Sequence, residues 1–143
     1  SGIEIKALVA GRGYNPEDDL SSELKQYFNF KGELSNMVNF YNDIDLLIVT
    51  SFSEGFPNVI VEAGLSGVDC ISFDVGDARY ILPEKNIIQD YSIKKMLLKI
   101  KKHIKQKDKI NKLEIRERNL GRFNIESAVS RYKKVYLEEI SGN

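Results

Sequence analysis

The chain has 143 residues, of which 42% are hydrophobic and 29% charged, a size and balance that predict one globular domain and exclude a disordered or fibrous protein. The single cysteine, Cys70, excludes an intrachain disulfide and a multi-cysteine zinc site. The longest apolar runs are far below the roughly 20 residues that span a bilayer, and the opening SGIEIK carries no signal-peptide pattern, so a soluble cytoplasmic protein is expected.

The 21 basic and 21 acidic side chains cancel, but unevenly. Residues 1–90 hold 6 basic and 15 acidic groups, and residues 91–143 hold 15 basic and 6 acidic. Such asymmetry raises the question of a nucleic-acid or membrane partner.

Ile5–Ala10 is a short apolar run ended by Gly11 and Gly13, the pattern of a buried strand and a tight turn. Asn15-Pro16 offers an N-cap with proline at the first helical position, and Leu20, Leu24, Tyr27 and Phe28 supply the apolar stripe of the helix that follows. A short strand at 29–31 stops at Gly32. Ser35 can cap a second helix burying Met37, Val38 and Tyr41. Ile44–Thr50 is the clearest strand, Pro57–Ser66 a helix ended by Gly67, and Cys70–Phe73 another strand with Cys70 in the core. Asp77–Leu82 reads as a short helix and Asn86–Gln89 as a weak last strand. From Ser92 onward the pattern is helical, with breaks near Asp108 and Gly121.

Strand and helix alternate through residue 90, which predicts an α/β fold: parallel strands joined by right-handed crossovers. Ligands of such sheets bind beyond the carboxyl ends of the strands, which favours the loops at 10–15 and 50–58.

The second of these loops opens SFSEGFPNVIVEAGLSG, residues 51–67. Pro57 at a helix start leaves the amides of Phe56, Asn58, Val59 and Ile60 without intrahelical partners, donors that suit a phosphate. Water or the side chains of Ser51 and Ser53 could satisfy them instead. Glu62 lies on a helix apolar on nearly every side, so its carboxylate needs partners. A ribose or sugar diol would serve, and so would a salt bridge from another element. Glu54 sits where the helix dipole stabilises a carboxylate.

EGFPNVIVE, with Glu54 and Glu62 eight positions apart, resembles the E-x7-E signature of family 4 of the retaining GT-B glycosyltransferases. AGRG at 10–13, FKGEL at 30–34, YNDIDLLIVTS at 41–51, ISFDVGDARYIL at 71–82 and RFNIESAVSRYKKVYLEEI at 122–140 resemble further segments of that family in the same order. The resemblance implies a Rossmann-like, three-layer parallel sheet of about five strands, the C-terminal half of a GT-B enzyme, with C-terminal helices. It implies retaining transfer of a hexosyl or N-acetylhexosaminyl group from a nucleotide-diphosphate sugar, with UDP the expected nucleotide, in polysaccharide or glycoconjugate assembly. Glu54 would contact the donor sugar near the reacting carbon. Gly55 and Phe56 amides would bind sugar hydroxyls, the Pro57 helix start with the Asn58 and Val59 amides would hold the α-phosphate, and Glu62 would accept from the ribose. The backbone at Gly32, Glu33 and Leu34 would pair with the base, and Gly11 and Gly13 would let the first loop approach the nucleotide. No metal or other cofactor is expected.

The family's acceptor domain, and an upstream strand-helix unit whose Arg and Lys hold the diphosphate, have no counterpart here, so the chain alone is expected not to turn over. Arg12 is near the right loop but is not that motif residue. Leaving that unit out of the order 3-2-1-4-5-6 removes the central strand. The five remaining strands could close to 2-1-3-4-5, or dimerise through exposed edges.

Asp43 and Asp45 imitate a D-x-D metal motif but precede their strand, at the wrong end of the sheet. His103, among lysines, is expected on the surface. Residues 93–105 set Ile93, Met96, Leu97, Ile100 and Ile104 against six lysines, a helix that either packs on the sheet or lies on the inner face of an anionic membrane. No aromatic-basic interleaving supports nucleic acid. A receiver-type signalling domain would need acidic strand ends where this chain has AGRG and TSFS. A noncatalytic nucleotide-sugar-binding module shares every motif above.

Overall fold

The computed structural model describes residues 5–12 and 20–141. The chain forms two compact units, 1–40 and 41–143.

In the first unit, β1 (Ala7–Ala10) pairs in parallel with β2 (Phe28–Gly32). The register skips between Val9 and Ala10, so Ala10 faces Gly32. Of the first predicted helix, residues 15–19 lie outside the described residues. What is described is one turn, α1 (Ser22–Lys25), entered from Ser21, and Phe28 belongs to β2 rather than to that helix. Leu24 and Tyr27 are about half exposed. The second helix, α2 (Met37–Asn42), is capped not by Ser35 but by Asn36, whose Oδ1 accepts from the amides of Val38 at 3.0 Å and Asn39 at 3.4 Å. Its buried residues are Phe40 and Tyr41, while Val38 is exposed. The unit boundary falls between that buried pair.

In the second unit, β3 (Leu46–Val49), β4 (Asp69–Phe73) and β5 (Ile87–Ile88) form a parallel sheet in that order. The crossovers are α3 (Asn58–Leu65) and the short α4 (Ala78–Ile81). Three helices complete the chain: α5 (Ile93–Lys105), α6 (Lys112–Leu120) and α7 (Ile125–Ser141). Val49, Ile60, Cys70, Ile71, Phe73, Ile88 and Met96 are in one apolar core. Gly67 has φ +76 just past the end of α3, the left-handed stop the sequence predicts. At Gly64 a Cβ would come within 2.5 Å of the Asn119 amide, so this glycine lets α6 approach α3 closely.

All five expected strands are present, each parallel to its neighbours within its own ladder. Among the described residues hydrogen bonding gives a two-stranded ladder, β1-β2, and a three-stranded one, β3-β4-β5, rather than one continuous 2-1-3-4-5 ladder.

Among the described residues no helix is long and apolar enough to cross a membrane. The helix α7 buries none of its described residues: Ile125, Val129, Tyr132, Tyr136 and Ile140, one stripe at helical spacing, are each close to half exposed or more. A helix without a packed face has only its own propensity to hold it. Amide hydrogen exchange in α7 is therefore expected to be at least about a hundredfold faster than in α3. Equal protection of the two helices would contradict this reading.

Candidate functional site

The second unit builds its site where β3 ends. Residues 50–57 lead from β3 into α3, and Pro57 is the N-cap rather than the first helical residue, so the helix starts one position later than the sequence pattern suggested. No side chain caps the helix. The Ile60 amide is satisfied by the Pro57 carbonyl at 3.0 Å, which removes it from the expected donors. Asn58 and Val59 precede that first bond, so their amides remain as the donors of an exposed helix start. Pro57 itself is fully buried and anchors the turn.

Glu62 differs from its expectation. The α3 helix is buried on one face only, through Ile60, Val61, Ala63 and Gly64, and Glu62 shares the exposed face with Asn58 and Val59. These three positions, one helical turn apart, line up on that face. The partner of Glu62 is neither lysine nor arginine but Tyr41, whose hydroxyl donates to Oε2 at 2.8 Å. Tyr41 is 2% exposed, and burial, then the Glu62 carboxylate, push its phenol well above the usual range. The phenol therefore stays protonated and donates one hydrogen bond, leaving the other carboxylate oxygen for a second donor. From the sequence Tyr41 reads only as a core aromatic; its role depends on where α2 delivers the hydroxyl.

Glu54, Gly55 and Phe56 are exposed, on a loop whose backbone is held from below. The Asp77 amide donates to the Gly55 carbonyl at 3.0 Å. Gly76, with φ +48, lies so close that a Cβ would sit 2.0 Å from that carbonyl oxygen and 2.5 Å from the Glu54 backbone carbonyl oxygen. Gly76 lies in the glycine loop of the family-like segment, but only the structure shows that it supports Glu54 and Gly55. Phe52 stacks on Phe73 and meets Tyr91 at a tilt, and the Tyr91 hydroxyl donates to the Phe52 carbonyl at 3.2 Å. Phe56 meets Phe123 edge to face, with the Arg122 guanidinium over the Phe123 ring. The loop is thus tied at Phe52, Gly55 and Phe56, while Glu54 is left outward.

In the first unit the strand ends bring Gly11, Arg12, Gly32 and Glu33 together. The Gly11 amide donates to the Gly32 carbonyl at 2.9 Å, and Arg12 pairs with Glu33 at 2.7 Å. Both glycines have positive φ, +143 and +63, with open space where a Cβ would be. Alanine at Gly32 is expected to cost about 1 kcal/mol from the left-handed backbone alone, measurable by thermal melting. Leu34 is half-buried, and Gly13 lies outside the described residues.

Two side groups fall elsewhere. Asp45 pairs with Lys107 at 2.9 Å, and that bond holds its carboxyl below the usual range. His103 is not a surface residue: its side chain is 9% exposed, with Nδ1 3.5 Å from Asp69 Oδ2. Burial works to raise the Asp69 pKa but is outweighed by His103, the Cys70 amide and Asn86, so the carboxyl titrates below its ordinary value. A depressed folded pKa adds stability above the unfolded value of about 3.9, which is lost as pH falls through the folded one. Asp69→Asn is therefore expected to flatten the acid limb of the melting temperature between about pH 5 and 3, and an unchanged slope would refute it.

Comparison with known proteins supplies the context. The family described as "Glycosyl transferases group 1" matches residues 1–106. No curated protein matches the chain. Among solved structures, sucrose-phosphate synthase from Thermosynechococcus elongatus is 19% identical, with a TM-score of 0.71 over 95% of this chain and 39% of that one. TarM is 21% identical, with a TM-score of 0.74 over 92% of this chain and 28% of its own. Anabaena Alr3699/HepE in complex with UDP is 21% identical, with a TM-score of 0.72 over 97% of this chain and 41% of its own. These similarities show the Rossmann-like fold of GT-B glycosyltransferases, and the chain spans well under half the length of each protein. With three quarters of its length matched, including both strand-end loops and the Glu54–Glu62 segment, the chain belongs to the group 1 glycosyl transferases.

Proposed function

We propose that this chain is the donor-binding part of a retaining, family 4-type GT-B glycosyltransferase that takes a UDP-sugar. The observation that carries the reading is the single exposed face of α3, where the uncapped amides of Asn58 and Val59 adjoin a Glu62 carboxylate oriented by Tyr41. A phosphate fits the first, because the donors and the helix dipole converge on negative charge. A vicinal diol fits the second, because a carboxylate accepts from two hydroxyls. Glu54, outward on the supported loop, is proposed to stabilise the donor sugar near its reacting carbon, with the amides of Gly55 and Phe56 on sugar hydroxyls. Diphosphate departure would then be assisted by fixed donors rather than by solvent. For the first unit, the proposal is that the Gly32–Leu34 backbone reads a base edge, with Gly11 and Gly13 clearing the approach.

UDP is chosen because one structural neighbour is a complex with UDP and another of the same protein holds UDP and glucose. The acceptor, a glycan or lipid-linked glycan, is proposed to be bound by a region beyond this chain, as the greater length of the neighbours suggests. Transfer of a hexosyl or N-acetylhexosaminyl group in polysaccharide assembly at the cytoplasmic side of a membrane completes the reading.

The test is calorimetric titration with UDP, GDP and ADP. Saturable binding that prefers UDP supports the proposal, and so does hydrolytic UDP release from a UDP-sugar by a longer chain that includes an acceptor region. A folded longer chain that binds no nucleotide would end it.

A further inference from the structure

The second unit has a cavity of about 280 Å³ at the amino end of β4, whose first residue is Asp69. In a parallel sheet this is the end opposite the 50–57 loop, so it lies apart from the proposed donor site. Its lining includes Lys85 from the turn before β5, and Lys99, Lys102 and His103 from α5.

The charges around this cavity do not balance. Its one lining carboxylate, Asp69, is already engaged: Oδ1 accepts from Asn86 at 2.7 Å and from the Cys70 amide at 3.0 Å, while Oδ2 faces His103. The Lys99 ammonium donates only to the Lys85 carbonyl. Burial, and then the nearby Lys102 charge, push the Lys99 pKa down, with Glu84 offsetting part of this. His103 is more than nine-tenths buried, and its Nε2 is the one buried side-chain nitrogen or oxygen among the described residues that has no hydrogen-bond partner. Three lysines, a buried histidine and one engaged carboxylate thus line one space, which leaves positive charge unmatched there.

We propose that this cavity binds a phosphate-bearing anion. The oxygens would accept from the ammonium groups of Lys85, Lys99 and Lys102, which share this lining with the His103 ring. Charge-assisted bonds of this kind are the strong ones, and the cavity has room for a phosphate or a diphosphate. Two sources share that chemistry. One is a soluble phosphate ester. The other is the headgroup of an anionic phospholipid, toward which the exposed Leu97 and Leu98 of the same lysine-rich helix would also suit a bilayer surface.

The experiment is an NMR titration of the full chain with inorganic phosphate and with pyrophosphate, against sodium chloride at matched ionic strength. The readout is the His103 ring nitrogens and the Lys99 and Lys102 amides. Saturable shifts at these positions are expected, weakened about tenfold or more in the exposed-lysine variant Lys85→Gln/Lys102→Gln. Shifts of the Asn58 and Val59 amides report separately any pyrophosphate bound at the α3 start, and an unaltered amide spectrum shows that the lysine variant folds. Vesicles of phosphatidylglycerol in phosphatidylcholine form the second arm. Shifts at His103 with these vesicles but not with phosphatidylcholine alone assign a headgroup, and saturation by the free anions alone assigns a soluble ester. Absence of a saturable His103 response in both arms, or saturation indifferent to the lysine substitutions, overturns the proposal.

Discussion

Replacing Glu62 by alanine is expected to weaken UDP binding about ten- to a hundredfold, the loss that goes with one or two hydrogen bonds to a charged group. The same change removes the acceptor 2.8 Å from the buried Tyr41 hydroxyl, so a loss of about 1–3 kcal/mol in stability should accompany it. Tyr41→Phe separates the two effects. It keeps the ring that fills the core and deletes only the hydroxyl, so the melting temperature should move little. Affinity should still fall, because Glu62 loses the bond that fixes its rotamer. A Tyr41→Phe protein that binds UDP as well as the parent would show that Glu62 needs no orienting partner. A Glu62→Ala protein that binds as well as the parent would remove Glu62 from the site.

Gly76→Ala should be the most disruptive single methyl addition in the loops. The new Cβ would fall 2.0 Å from the Gly55 carbonyl oxygen, a backbone atom that cannot rotate away, and the position has φ +48. Left-handed backbone costs about 1–2 kcal/mol and overpacking about 1–3, so a loss of about 2–5 kcal/mol is expected. For a chain of this length that is a fall of about 6–20 °C in melting temperature. Gly55→Ala is the control, since its Cβ would meet nothing within 4 Å. It should leave the melting temperature nearly unchanged, so any lost UDP affinity would report on the ligand side of the loop. Equal melting temperatures for the two variants would show that the 74–77 loop is not what supports Glu54 and Gly55.

These two predictions mark where sequence reasoning reached and where it stopped. The strand at 44–50 and the helix after Pro57 were legible because apolar runs bounded by proline and glycine have few other local solutions. Both closed within a residue or two of expectation. Gly67 was legible as a helix stop for the same reason. The partner of Glu62 was not: apolar neighbours along α3 suggested burial, whereas the helix leaves one face open, and which face is open depends on the sheet and on α6. His103 was misjudged likewise, because a histidine among lysines looks solvated until the fold sets it beside Asp69, 34 positions away.

The sequence by itself therefore determined the alternation of elements, their parallel pairing within each ladder, the helix that follows Pro57 and the likeness to glycosyl transferases. Each rests on local periodicity, capping chemistry or an ordered series of motifs that neighbouring residues carry. Tertiary structure alone decided that the strands form two ladders, that Tyr41 orients Glu62, that Gly76 supports the Glu54 loop and that lysines gather around His103. Those are contacts between residues far apart in the chain, and their distances follow from how elements pack rather than from what any one segment prefers.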